Sequence, residues 1–228
     1  GVIMTYSASA VYSDQIFHSS TYFLRRQLFY VIFGTFAFLF TSSLDPDFLR
    51  RHSRTLVLIG IVLLVCVFLP FIGHSAGGAR RWIRLPLFTF QPVEYVKLAA
   101  CIYLADYLTR KMKEISLGSL SIFAPPVMIL LLIFGLVILQ PDMGSCVFLF
   151  LIMGILFILA GIRLRYVLIA GTIAVIVLVI FVLEAPYRMR RVTAYLDPWK
   201  DPRGSGFQII QSFLAFGLGG WKGAGLGW

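Results

Sequence analysis

Six stretches of this chain, near residues 27–44, 55–73, 93–109, 124–140, 144–161 and 166–184, are apolar over the length an α-helix needs to cross a bilayer. Repeated runs of that length dictate a bundle of membrane-spanning helices, because a helix is the one open-ended structure that satisfies every backbone polar group without water. The opening GVIMTYSASA is too short to cross, yet it ends in small polar residues, and it reads as a truncated first span near 1–10. Composition decides against a soluble fold: 59% of residues are hydrophobic and 13% charged, against about 25% charged in soluble domains. The expected fold is all-α, a polytopic transmembrane helix bundle forming one domain over residues 1–228. After Glu184 the sequence becomes rich in Gly, Pro, Arg and Trp, and residues 185–228 read as one large loop without a further full span.

The 20 Lys and Arg against 10 Asp and Glu give a net charge of +10. In a soluble protein that excess would suggest nucleic acid. Here the basic residues sit in short clusters between apolar runs, as membrane loops do, so nucleic acid is not expected and an anionic lipid or phosphate is. Arg50, Arg51, Arg54, Arg110, Lys111, Lys113, Arg163 and Arg165 fall on one side of the spans. The other side carries Arg25, Arg26, Arg80, Arg81 and Arg84, plus six more basic residues in 185–228. Positive charge marks the cytoplasmic side in short loops and loses that meaning in long ones. With the long loop set aside, the first group is cytoplasmic and the second faces outward, with more arginine than topology requires.

Three constellations could carry chemistry. In residues 77–111, Gly77 and Gly78 permit close backbone approach, and Arg80 and Arg81 offer forked donors to phosphate oxygens. Trp82 suits the bilayer interface. Gln91 and Pro92 open a helix, placing Glu94 at its positive end with Lys97 three residues on along the same face. Such a helix start beside arginines is a plausible anion site; equally, Glu94 complements the helix dipole, Lys97 snorkels and the arginines touch lipid headgroups. Arg80, Arg81, Glu94 and Lys97 are expected to line one outward cavity, with Glu94 and Lys97 paired, since either charge alone in lipid is costly. The second constellation is Gln140, Pro141, Asp142 and Gly144, which interrupts the apolar run 127–160. There Asp142 is either an N-cap or a surface carboxylate contacting a sugar, a metal or an arginine. The third is the terminal loop, with Arg188, Arg190 and Arg191 ahead of DPWKDPRGSGFQ and its two Asp-Pro turns.

Other residue types say little. Cys66, Cys101 and Cys146 lie singly in apolar runs without metal-ligand spacing. His18, His52 and His74 are scattered in loops and read as interfacial. No soluble-enzyme signature is present, and no basic n-region with a cleavage pattern marks a signal peptide, so Gly1 reads as an interior start.

GARRWI, FQPVEYVKL, QPDMGS, PYRMRRVTAYLDPWKDPRGSGFQIIQS and GGWKGAGLG, in that order, resemble the SEDS family (shape, elongation, division and sporulation) over essentially the whole chain. The PYRMRRV and DPW forms are more similar to its cell-division branch than to its elongation branch. The resemblance implies a ten-helix protein of the bacterial inner membrane, about seven of whose helices lie here, located at the division septum. It implies polymerisation of lipid II into glycan strands of peptidoglycan, a glycosyltransferase activity. A carboxylate would deprotonate the acceptor sugar hydroxyl, which displaces the donor's polyprenyl pyrophosphate with inversion. Transport of lipid II and a non-catalytic division scaffold are the alternatives. Implied partners are lipid II and polyprenyl-linked glycan, a class B penicillin-binding protein and other division proteins; no cofactor is assigned, and a divalent cation is left open.

By position, Arg80, Arg81 and Trp82 match the family's outer-loop motif, Glu94 and Lys97 its helix-four pair, and Asp142 its QPD motif. Gln91 lies in the matching FQPVEYVKL segment. Arg188, Arg191, Asp197, Gly206 and Gln208 match the large outer loop. Val93 departs from a usual Ser or Ala and Pro86 from a common Gly, both flanking positions. The family's catalytic aspartate sits in a PExHTDFIF-like motif after the GxGLG segment, so it is expected beyond Trp228. Asp197 is not that residue, and the chain reads as an internal, inactive part of a longer enzyme.

Overall fold

The computed structural model describes residues 1–76, 79–84, 88–116, 120–184, 186–223 and 225, with backbone alone at 76, 79, 116, 120, 186–188 and 191. It divides into two units, the first Gly1–Ser43 with Ile173–Trp228 and the second Leu44–Thr172.

The first unit begins with α1 (Val2–Phe17) and α2 (Tyr22–Ser42). The first span thus runs seven residues past the sequence reading, to Phe17, because the polar residues of YSASAVYSDQ stay helical. Ser9 returns its hydroxyl to the carbonyl of Thr5 at 2.5 Å, and Ser13 is buried and donates to Ser19 O at 2.6 Å. His18 stops the helix in the left-handed region, at φ 51°. Stacked Phe17 and Tyr22 rings, 4.1 Å between centroids, pin the short connection.

In the second unit, α3 (Pro46–Arg51) leads into α4 (Ser53–Cys66). Then come β1 (Gly73–Ala76), β2 (Ala79–Arg84) and β3 (Thr89–Phe90), forming a three-stranded antiparallel sheet in the order β1-β2-β3. The expected helical bundle is borne out, and it carries this one small sheet after α4 among the described residues. Gly73 begins the turn into the sheet, and a Cβ on it would strike the carbonyl of Val67. Helices α5 (Pro92–Arg110), α6 (Met112–Ser116), α7 (Ala124–Leu139) and α8 (Met143–Leu159) follow, and α9 (Leu164–Leu183) continues into the first unit.

Helix α5 is the axis of the second unit, packed by α4, α7 and α8. Its Val93, Val96, Ala100, Tyr103 and Leu104 recur at helical spacing and meet Val57 and Leu64, Leu130, Ile133 and Val137, and Leu149 and Met153 in one core. The approach of α4 is closest at Gly60, where a Cβ would lie 2.9 Å from Val96 Cγ2. Tyr95 secures the same pair by donating to Leu56 O at 3.2 Å. Helices α2 and α9 bury no residue within the structure, as expected for helices whose partner is lipid.

Among the described residues, three apolar helical stretches are long enough to cross a membrane: Tyr22–Ser42, Ser121–Leu139 and Leu164–Leu183. Ser53–Cys66, Met143–Leu159 and Phe207–Gly219 are shorter apolar helices. Residues 185–228 also depart from the loop reading. They fold into α10 (Pro186–Leu196), a 3₁₀ turn over Pro198–Lys200, and α11 (Phe207–Gly219).

Candidate functional site

At one end of the second unit the start of α5, the turn between α7 and α8, and strand β2 meet. Asp142 is the hub. It caps α8 by accepting from the Ser145 backbone N–H at 3.3 Å and from its hydroxyl at 3.0 Å. Gln91, the residue before α5, donates from Nε2 to Asp142 Oδ2 at 3.1 Å, the oxygen that also accepts from the Ser145 hydroxyl. Arg81 Nη1 lies 3.8 Å from Asp142 Oδ1. The guanidinium is held further by the carbonyls of Gln140, at 3.1 Å from Nε, and Pro141. Gln140 is itself buried and donates to Leu64 O at 3.1 Å, tying the turn to the end of α4. Asp142 is therefore both an N-cap and the partner of an arginine, the two roles the sequence left as alternatives.

Glu94 and Lys97 pair at 2.8 Å. The ammonium also sits 4.8 Å from the centroid of the Phe148 ring on α8, a cation–π contact. Glu94 stays largely exposed while Lys97 is mostly covered, so the pair holds the lysine against α8 and leaves a carboxylate edge open. Arg80 and Arg81 do not act together. Consecutive strand residues point to opposite faces, and while Arg81 reaches the α7–α8 turn, Arg80 is exposed, with no hydrogen bond or ion pair among the described residues. Trp82 lies half-buried opposite His74 in the β1–β2 ladder.

The remaining sequence candidates belong to the other unit. Asp197 precedes the 3₁₀ turn and lies 3.6 Å from Lys200. Gln208 is exposed near the start of α11, and its carbonyl accepts from Ser212. Arg188 and Arg191 fall within α10, their side chains outside the described residues, as are Gly77, Gly78 and Pro86 altogether. Gly206 is required by the fold: a Cβ there would strike the carbonyl of Pro198.

Two features escaped the sequence reading. Asp201 organises the DPRGS turn, accepting from the Ser205 N–H at 2.9 Å, the Ser205 hydroxyl at 3.0 Å and the Gly204 N–H at 3.1 Å. Those bonds, the Ser205 N–H foremost, hold its carboxyl below the ordinary aspartate range. The second is Asp106, buried near the far end of α5, which accepts from Ser53 at 2.8 Å and pairs with Arg110 at 2.9 Å and Arg50 at 3.9 Å. An acid inside an apolar run four residues before an arginine was a readable signal for it. Among the described residues no three His, Cys, Asp or Glu side chains gather as a metal site.

The sixteen steps from Glu94 to Arg110 rise about 24 Å at 1.5 Å per residue, so α5 carries charged clusters at both ends with apolar packing between. That arrangement, in a chain that also carries several long apolar helices, defines a multi-pass integral membrane protein. The chain belongs to the FtsW, RodA and SpoVE family of cell cycle proteins, whose model matches residues 1–228. Over 227 residues, all of this chain, it is 41% identical to a probable peptidoglycan glycosyltransferase FtsW of Trichlorobacter lovleyi, covering 59% of that protein. It is 40% identical to the stage V sporulation protein E of Bacillus subtilis, covering 62%. Among solved structures, a chain from work on the coordination of polymerization and crosslinking by a peptidoglycan synthase complex superposes with a TM-score of 0.68 at 29% identity. The match covers 94% of this chain and 63% of that one. The chain thus spans about three fifths of the length of these relatives.

Proposed function

We propose that the full protein is a peptidoglycan glycosyltransferase that polymerises lipid II, and that the Arg81–Asp142 end of the second unit faces outward and forms part of its substrate-binding surface. The observation that supports this most is the 41% identity to a probable peptidoglycan glycosyltransferase along the whole of this chain.

The chemistry of the residues agrees with a pyrophosphate-bearing substrate. Arg80 has free donors for phosphate oxygens, and Lys97 supplies a positive charge partly withdrawn from solvent, where it counts for more than in water. As the acceptor hydroxyl attacks the anomeric carbon, the bond to the polyprenyl pyrophosphate breaks and negative charge grows on the leaving oxygen. Fixed cations near that oxygen lower the barrier. Arg81 is already engaged by Asp142 and two carbonyls, so it positions the surface; Gln91 and Asp142 hold the start of α5 against α8. Trp82 would sit at the bilayer interface; Arg188 and Arg191 on α10, Asp197 before the 3₁₀ turn and Gln208 on α11 are further candidates for substrate contact. The general base is the family aspartate that the resemblance places after residue 228. On this reading the protein acts in the bacterial inner membrane at the septum, with a class B penicillin-binding protein as its crosslinking partner.

Purified full-length protein given labelled lipid II should form glycan polymer. Translocation of lipid II across sealed vesicles without polymer would replace this reading with transport, and neither activity would leave a scaffold.

A further inference from the structure

At the opposite end of the second unit from Asp142, a cleft of ≈ 490 Å³ opens between α3, the start of α4 and the end of α5. It is lined by Arg50, Arg51, Arg54 and Arg110, with Asp47, Asp106 and Ser53. Two of the four arginines are spoken for. Arg110 and Arg50 both approach the buried Asp106 carboxylate, and Arg50 also meets Asp47 at 3.3 Å. Ser53 adds its hydroxyl to Asp106, so the back wall of the cleft is fixed across 53 residues of chain. Arg51 and Arg54 are exposed and have no hydrogen bond or ion pair among the described residues. Four positive charges against two negative ones leave the opening basic, with two guanidinium forks free.

We propose that this cleft binds the phosphodiester headgroup of an anionic phospholipid. A guanidinium fork matches paired phosphate oxygens, and basic pockets between transmembrane helices at the membrane surface take such headgroups. The depth is right. Ser53 begins the apolar α4, and Arg110 ends α5, which places the cleft at the boundary of the hydrocarbon. Phe48, 50% exposed and tilted against the His52 ring with 4.3 Å between centroids, offers apolar surface beside the arginines, where an acyl chain would leave the headgroup. An acidic peptide would use the charge but not the aromatic surface at that depth. The site does not depend on the activity proposed above, since it lies at the other end of α5.

The test uses full-length protein in mixed micelles of phosphatidylglycerol and phosphatidylcholine, with bound lipid counted by native mass spectrometry. Wild type should retain phosphatidylglycerol in preference to phosphatidylcholine. With about fivefold in affinity per arginine near a membrane surface, Arg51→Gln with Arg54→Gln should weaken that retention about 30-fold, and Arg51→Gln alone about fivefold. Replacing both by Lys keeps the charge and loses the fork, so retention should fall between wild type and the double Gln variant. Unfolding in phosphatidylcholine alone should be the same for all, showing that the fold is intact. Equal retention of the two lipids by wild type, or undiminished retention by the double Gln variant, would overturn the proposal. Displacement of the lipid by soluble glycerol phosphate at equal concentration would assign the cleft to a free phosphate, and displacement by an acidic peptide at equal concentration to a protein partner; either overturns the lipid assignment.

Discussion

Replacing Asp142 by alanine tests whether the turn between α7 and α8 is held by charge or by capping alone. The side chain is 10% exposed and takes three hydrogen bonds in addition to the arginine. Breaking a buried ion pair costs about 3–5 kcal/mol when one charge is stranded. Here Arg81 is 24% exposed and keeps its bonds to two carbonyls, which reduces that to about 2 kcal/mol. Loss of the cap on Ser145 adds about 1 kcal/mol. Asp142→Ala should therefore destabilise by about 3 kcal/mol, lowering the midpoint of thermal unfolding by about 6–12 °C for a chain of this size. Asp142→Asn retains capping ability and should cost about 2 kcal/mol, nearly all of it the lost charge. Unfolding followed by intrinsic tryptophan fluorescence in detergent measures both, and Arg81→Met closes a double-mutant cycle. The expected coupling is about 1–2 kcal/mol. An Asn variant as stable as wild type, or additivity within about 0.5 kcal/mol, would refute the account and leave Asp142 as a cap only.

Three further outcomes follow from particular contacts. Lys97→Met should leave the fold intact, because methionine puts an apolar chain of similar length beside the Phe148 ring, while strongly reducing lipid II polymerisation by the full protein; unchanged polymer yield would remove Lys97 from the substrate surface. Gly60→Val should push α4 from α5 against the stiff Val96 side chain and cost about 1–3 kcal/mol, read as a lower unfolding midpoint. Because Asp201 has a lowered pKa, its contribution to the turn is complete above the ordinary carboxylate value of about 3.9 and is lost as pH falls through the lower folded value. Amide exchange at Gly204 and Ser205, corrected for intrinsic rates, should be protected at neutral pH and lose protection only as pH falls below the ordinary carboxylate range, through the lowered folded value; Asp201→Asn should lose it at neutral pH too, and a pH-independent pattern would exclude this role.

Much of the helical framework was legible locally. Apolar runs of spanning length, Pro92 at the start of α5 and the three-residue step from Glu94 to Lys97 express themselves within a turn or two of helix, where a periodic sequence is its own evidence. The extension of α1 to Phe17 was less visible, because its serines satisfy themselves along the helix and its polarity resembles that of a loop. The small sheet was missed for a related reason. Its strands are short, their pairing depends on turns at positions of little periodicity, and Arg-rich segments resemble surface loop.

The candidate site divides along the same line. Sequence by itself determined which residues carry charge into a lipid setting, and that Asp142 could cap the helix after it. Only the tertiary structure decided that Arg81, 59 residues before Gln140, reaches across to that turn, and that Arg80, its neighbour, does not. Strand alternation separates the two arginines, and a strand's register is set by its partners across the sheet. Likewise Asp106 joins Ser53 only because α4 and α5 pack along their length. Local pattern reports which face of an element is apolar; which charged groups meet is settled when those faces are buried against one another, since burial is what makes an unpaired charge too costly to leave.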